Sequence, residues 1–341
     1  MITGLDTLLA TTGKPGLQEL RRVLDALFRP RCSSGRVIEQ LRLASQVYRV
    51  RLALDGAPHS VIVKHLGPEI ARRNHLVATR WLPALGLGRV VPSLVGVAAA
   101  PHGQCVWHVY EDLGDHGLVP GRSPPDHVEH ALRALAAVHA GFVGHALLPE
   151  CRLYGGDLSA RFHLTSITDA LTSLRAVPSA LLSRDRRILV ERLVSRLEDM
   201  RSDSPRRAQL LSLGGPDTLV HGDCWPKNVL VRDEAGGLRA CFIDWDHAAL
   251  GPASYDLSTF LYRFPLSARP RLLSVYQEAL GRYVWTLPEA RTLHEIFALQ
   301  EEARITNRLI WPAIAVHDGH VDWAFSELAR VETWFETMKA A

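Results

Sequence analysis

The residues best suited to chemistry lie in one short stretch: His221-Gly222-Asp223-Cys224-Trp225-Pro226-Lys227-Asn228, followed by Ile243-Asp244-Trp245. An aspartate in a loop after an apolar run can orient a hydroxyl and take its proton. An amide and a second carboxylate are hard oxygen donors. Together they can hold a magnesium ion that keeps its remaining positions for phosphates and water. A base, two such ligands and a cation for the phosphates form the set that phosphoryl transfer uses. That reaction depends on positioning and charge neutralisation more than on covalent help from the protein.

The elements around these residues are legible. Asp223 follows the apolar Leu219-Val220, and Pro226 keeps the next segment from continuing as a helix. Strands are predicted at 228–232 and 239–244, joined by a turn within Asp233-Glu234-Ala235-Gly236-Gly237. Residues 228 and 244 are equidistant from residue 236. A regular hairpin therefore sets Asn228 opposite Asp244, at the end where Asp223 lies.

Upstream, Leu17, Leu20, Val23, Leu24 and Leu27 share one face of a helix predicted at 17–28. Strand patterns follow at 36–43, 46–54, 59–66, about 89–98 and 105–111, and Asp55-Gly56 marks a tight hairpin turn. A helix at about 69–84 interrupts them. The expected architecture is α+β: a five-stranded antiparallel sheet with one inserted helix, then a mainly helical part. Helices are predicted from about 123 into Ala131–Ala140 and near 184–200, 255–264, 269–284, 289–308 and 321–338. Gly, Pro and Asp enrichment around 114–125 places the joint between a first lobe, residues 1–113, and a second, 114–341.

Composition narrows the function classes. Net charge is +3 with no block of like charges, so no nucleic-acid partner is signalled and there is no acidic excess for a strongly polycationic substrate. The five cysteines are scattered without a C-x-x-C, and no apolar run approaches a membrane span. A reduced, cytoplasmic protein with no membrane partner is expected. Four lysines stand among 35 arginines, which makes Lys64, inside the apolar run Val61-Ile62-Val63-Lys64, more telling than an average lysine. A buried lysine needs a partner or a phosphate. Gly13-Lys14 lacks the rest of a Walker loop, Gly86-Leu87-Gly88 lacks the third glycine of a dinucleotide fingerprint, and no G-x-S-x-G occurs.

The ordered set His-Gly-Asp-x-x-x-x-Asn, Ile-Asp-Trp, Gly251 and Tyr255-Asp256-Leu257 resembles the aminoglycoside phosphotransferase and choline kinase superfamily, small-molecule relatives of the protein kinases. The resemblance implies a two-lobed protein-kinase-like fold. It implies Asp223 as catalytic base, Asn228 and Asp244 as Mg2+ ligands, and structural roles for His221 and Asp256. It also implies ATP or GTP as donor. Ser45 would lie in the turn over the phosphates, Lys64 would bind them, and the backbone of Glu111, Asp112 and Leu113 would read a purine edge. The family pairs its lysine with a helix glutamate, six residues before a Trp-Leu pair. Counting back from Trp81-Leu82 lands on His75 instead. Glu69, in the first helical turn, is the carboxylate available to support Lys64; the alternative is that no residue does.

The implied activity is transfer of a γ-phosphoryl group to a hydroxyl of a small molecule, an antibiotic or related natural product. A metabolite kinase of the choline, sugar or homoserine type is the alternative, and a kinase-like protein that binds nucleotide without catalysis is the other class. The polar face of Gln300–Trp311, with Arg304, Arg308 and Trp311, is the candidate wall for the acceptor; a solvated helix face explains the same pattern.

Overall fold

The computed structural model describes residues 2–5, 13–281 and 285–339. In chain order, β1 (Ile2–Thr3), α1 (Leu17–Phe28), β2 (Gly35–Ala44), β3 (Val47–Leu54) and β4 (Ala57–Leu66) precede α2 (Pro68–Leu76). A π turn, Val77–Trp81, carries α2 on to Ala84; β5 (Leu94–Ala99), β6 (Val106–Glu111) and α3 (Pro125–Phe142) follow. Next come α4 (Leu148–Tyr154), α5 (Ala160–Arg175), α6 (Arg184–Ser202), α7 (Ser204–Ser212) and β7 (Asp217–Val220). The chain ends with β8 (Val229–Glu234), β9 (Gly237–Phe242), β10 (Ala249–Pro252), α8 (Ser254–Leu261), α9 (Arg269–Leu280), α10 (Ala290–Ala315) and α11 (Val321–Lys339).

Two compact units divide these elements. One contains Met1–Gly141, Leu153–Gly155 and Asp223–Ala248; the other contains Phe142–Arg152, Gly156–Gly222 and Ala249–Ala341.

The first unit is built on a sheet of order β1-β2-β3-β4-β6-β5. It has six strands, not the five expected: the two-residue β1 adds in parallel to β2, too short to show as a period-2 pattern. The other five are antiparallel. Asp55 and Gly56 both have positive φ, 47° and 84°, which is the conformation a two-residue hairpin turn demands. The apolar face of α1 buries Leu20, Leu24 and Phe28 against Val50, Leu52, Val63, Trp107 and Val109. Each such aliphatic side chain contributes roughly 1.5–3 kcal/mol on burial. The helix lies so close to β5 that a Cβ at Gly96 would sit 2.7 Å from Val23 Cγ1.

The β8–β9 hairpin belongs to this unit because it docks on the segment after β6. Leu118 N–H donates to Val229 O at 2.9 Å and Val231 N–H donates to His116 O at 3.0 Å. Arg239 of β9 donates to Glu111 Oε1 at 2.8 Å and to Arg89 O at 3.0 Å. Packing thus divides the chain elsewhere than the 113/114 joint read from composition.

The second unit is helical. Its core joins α5, α6, α10 and α11 through Leu171, Leu174, Leu193, Leu197, Ile305, Leu309 and Leu328. Beside these helices β7 and β10 form an antiparallel pair. The helix expected over 269–284 runs to Leu280, and 282–284 lie outside the described residues.

Candidate active site

The loop after β7 does what Pro226 foretells. Trp225 N–H closes on Asp223 O at 2.8 Å, a single 3₁₀ turn covers Pro226–Asn228, and Asn228 leads into β8. The Asn228 amide nitrogen donates to Asp223 O at 2.9 Å and to Asp223 Oδ2 at 3.1 Å. The amide therefore fixes the aspartate, and its own oxygen is the atom left for a cation.

The hairpin register is one residue off the arithmetic. Val229 pairs with Phe242, so Asn228 faces Ile243, whose N–H donates to Asn228 O at 2.9 Å. The turn is the two-residue Ala235-Gly236, which moves the centre half a residue towards the N-terminus. Asp244 nonetheless reaches the site because its backbone is left-handed, φ 66°. Outside glycine such a conformation is uncommon and occurs mostly in Asn and Asp.

A cavity of about 620 Å³ opens in the first unit, within the range of ligand pockets. Lys64, Asn74, Asn228 and Asp244 line it on one side, and Tyr110, Glu111, Asp112 and Leu113 on another. Lys64 lies in β4 between Val47 and His108 of the neighbouring strands. Its ammonium pairs with Asp244 and, at 2.6 Å, with Asp246 Oδ1. Burial alone would lower the Lys64 pKa; the two carboxylates outweigh it and hold the group above its ordinary value.

The expected Lys64–Glu69 pair is not formed. Glu69 is exposed in the first turn of α2, and its field acts on Arg73. The helix reaches the site through Asn74, whose amide donates to Asp246 Oδ1 at 2.9 Å. Arg73 donates to the Asp246 carbonyl. Asp246 and Asn74 are thus site residues that sequence reasoning missed. The signal for Asp246 was a second carboxylate two places after Asp244.

At the other end of the cavity, Glu111 Oε1 accepts from Ser93 N–H at 2.8 Å and from Arg239. Asp112 accepts from Gly114 N–H at 2.9 Å and from the buried guanidinium of Arg49, which also grips Asp115. Leu113 is buried. Behind Tyr110, His108 is packed at 2.9 Å from the phenol oxygen, and burial, with His75 and Lys64, lowers its pKa to about 4. Ser45 sits in the exposed turn between β2 and β3, next to the lining residues Ala44 and Val47 but not itself in the lining.

In the second unit, Asp256 is fully buried and accepts from His221 N–H at 2.6 Å and Gly222 N–H at 2.9 Å, immediately before Asp223 in the chain. The residues of the expected acceptor wall have separate surroundings. Arg304 is tied to Glu301, to Ser258 at 3.0 Å and to the Tyr255 carbonyl, and lies over the Tyr255 ring. Arg308 stacks on Trp334, and Trp311 is exposed. Arg304 is therefore part of the packing between α8 and α10, a correction to its expected role.

The donor set fits magnesium. Among the described residues no group of three or more His, Cys, Asp and Glu could hold a metal by itself. Asn228 and Asp244 would supply two oxygen ligands on a cavity that also presents Lys64, which suits a cation held partly by phosphates.

At the level of sequence, no match to a functionally characterised protein was found. Among solved structures the chain is similar to APH(2")-IIIa in complex with GDP and kanamycin, with TM-score 0.60, 16% identity, and 94% and 98% of the two chains covered. It is similar to choline kinase LicA from Streptococcus pneumoniae, with TM-score 0.54, 14% identity, and 94% and 99% covered. It is also similar to macrolide 2'-phosphotransferase MphH from Brachybacterium faecium, with TM-score 0.53, 15% identity, and 91% and 98% covered. At such identities these likenesses show the fold, which is the kinase-like α+β fold expected. The sequence model of the phosphotransferase enzyme family matches residues 44–294. With that match spanning most of its length, the chain belongs to the phosphotransferase enzyme family.

Proposed function

We propose that this protein transfers the γ-phosphoryl group of ATP or GTP to a hydroxyl of a small molecule, with an antibiotic or related natural product as acceptor. The observation that carries the reading is the convergence on one cavity of Lys64, Asn228 and Asp244, with Asn228 holding Asp223 by its amide. Lys64 supplies a charge for the phosphates. Asp223, oriented by Asn228, accepts the proton of the attacking hydroxyl. Asn228 and Asp244 would hold Mg2+, which when bound would supply positive charge to the phosphates. Glu111, Asp112 and Leu113 form the base end of the cavity, and the Arg49 and Arg239 contacts keep that segment fixed. The structural relatives solved with kanamycin or named for macrolides support a natural-product acceptor.

The test is direct. Purified protein is incubated with magnesium and γ-labelled ATP or GTP, against a panel of aminoglycosides, macrolides, choline and ethanolamine. Label transfer to an antibiotic, with loss of its growth-inhibiting power, is the expected result. Transfer to choline or ethanolamine alone gives the metabolite-kinase reading. No transfer and no nucleotide hydrolysis would reject catalysis.

A further inference from the structure

Lys64 is held from a place the family pattern does not use. Its ammonium contacts two carboxylates, Asp244 and Asp246, and neither comes from α2. The two are not equivalent. Asp244 lines the cavity with its side chain 44% exposed; Asp246 is outside the lining and 23% exposed, behind the lysine. On the phosphotransferase reading Asp244 would also hold the cation, so a bound metal would compete with Lys64 for its carboxylate.

Asp246 is also the better anchored. Its Oδ1 accepts from both Lys64, at 2.6 Å, and Asn74, at 2.9 Å. Its backbone carbonyl accepts from Arg73. Asn74 is buried, and its amide nitrogen is shared between Ile70 O at 2.9 Å, in its own helix, and the aspartate. The amide cannot rotate without losing a buried hydrogen bond, so it holds the carboxylate in one orientation. Two consecutive residues of α2 thus fasten the helix to the turn after Asp244.

We propose that Asp246, oriented by Asn74, is the positioning residue for Lys64, taking the place of the helix glutamate. The inference rests on the phosphotransferase reading of the same cavity. Asp246 keeps Lys64 aimed into the cavity when Asp244 is engaged elsewhere. Helix α2 contributes an amide where other members contribute the charge. The charge itself has moved to the turn that carries the metal ligand.

The test compares wild type, Asp246→Asn, Asn74→Ala, the double variant, and Glu69→Ala as a control. Turnover is read as magnesium-dependent nucleotide hydrolysis, nucleotide affinity by displacement of trinitrophenyl-ATP in chelator, and folding by thermal midpoint. Lys64 is also probed without nucleotide or metal, by acetic anhydride at one pH and peptide mass spectrometry, with Lys14 as internal reference. Asp246→Asn should lower kcat by about tenfold or more while the dissociation constant moves less than about threefold, the split that marks positioning rather than binding. Acetylation of Lys64 should rise several-fold relative to Lys14, because its fixed partner is gone. Asn74→Ala should do the same more weakly, and the double variant should be no worse than Asp246→Asn, since both act through one contact. Glu69→Ala should match wild type.

Unchanged Lys64 labelling in Asp246→Asn overturns the proposal, as does wild-type turnover. A parallel fall of kcat, affinity and thermal midpoint overturns it too, as a merely structural effect. A wild-type chain that binds no nucleotide removes the phosphotransferase reading and this proposal with it. A wild type that binds and turns over beside an indifferent Asp246→Asn removes this proposal alone.

Discussion

Replacing Asp256 by asparagine changes one atom group and should disable the loop before Asp223. The carboxylate is completely buried and accepts two backbone N–H groups, from His221 at 2.6 Å and from Gly222 at 2.9 Å. Both acceptors are needed, and both bonds are charge-assisted, worth about 1.5–3 kcal/mol each. Asparagine keeps one acceptor oxygen and turns an NH2 group towards the other N–H. One charge-assisted bond becomes neutral, and one buried donor is left facing another donor, which costs about 1–3 kcal/mol. The sum is about 2–4.5 kcal/mol, a large part of the 5–15 kcal/mol that keeps a typical domain folded. Gly222 adds sensitivity because its φ of 80° is a conformation that an unheld loop has no reason to keep.

The assay is urea denaturation together with kcat at saturating nucleotide. The denaturation midpoint should fall and kcat should drop by at least about tenfold. Nucleotide affinity should change little, because Asp256 is absent from the cavity lining. Asp256→Ala should be worse than Asp256→Asn, since it strands both N–H groups. An Asp256→Asn protein with wild-type midpoint and wild-type turnover, or an alanine variant milder than the asparagine one, would refute the bracing role.

Asp223→Ala should lower turnover by ~10²–10⁴ with nucleotide binding retained; near wild-type turnover in a labelled-phosphate assay would sink its role as base. Asp244→Ala should abolish turnover and Asn228→Ala should be milder, because the amide contributes a neutral oxygen, whereas full activity in excess chelator would reject metal assistance altogether. Stability should fall in acid through His163, whose ring is buried with Arg207 Nη1 3.4 Å from its Nε2. Burial first, and then Arg207, hold its pKa at about 4 against 6.5, so the unfolded chain binds this proton more readily and stability is lost as pH falls from 6.5 towards 4. That amounts to about 2 kcal/mol by pH 5, and His163→Leu should flatten the slope of unfolding free energy between pH 7 and 5 by this amount.

What was legible in the sequence follows from how local each signal is. The Asp55-Gly56 turn, the α1 stripe and the β8–β9 hairpin are each fixed by residues a few places apart, and all are present as the pattern put them, the hairpin with its register one residue off. Helix α5 was missed because its buried face includes His163 and Ser166 as well as Ile167, Ala170 and Leu171, which breaks the apolar period. Strand β10 was missed because Gly251 and Pro252 read as breakers, yet Pro252 is the last residue of the strand, opposite Asp217 of β7, and is tolerated there. Arg304 shows the opposite error. Its place on a polar helix face suggested a ligand, but the face is polar because Glu301, Arg304 and Arg263 neutralise one another in the packing of the second unit.

The partner of Lys64 was misplaced for a reason that α2 itself supplies. Counting six residues back from Trp81 assumes an unbroken α-helix, in which the same face returns at fixed spacing. Val77–Trp81 is a π turn, with hydrogen bonds closing over one more residue than in an α-helix. An extra residue in that turn rotates everything before it by about one position, so the residue that meets the lysine's carboxylate partner is Asn74, while the ring of His75 lies 6.5 Å from that of His108. The sequence at that position then has an amide where the count sought a charge. The charge lies 172 residues further on, at Asp246, the residue to which that amide donates. A local count could locate neither the register shift nor the distant carboxylate, because both exist only once α2 is packed beside the turn after Asp244. The same packing gives the departure from the family pattern a physical reading: Lys64 keeps a fixed anion beside it, supplied from a different element.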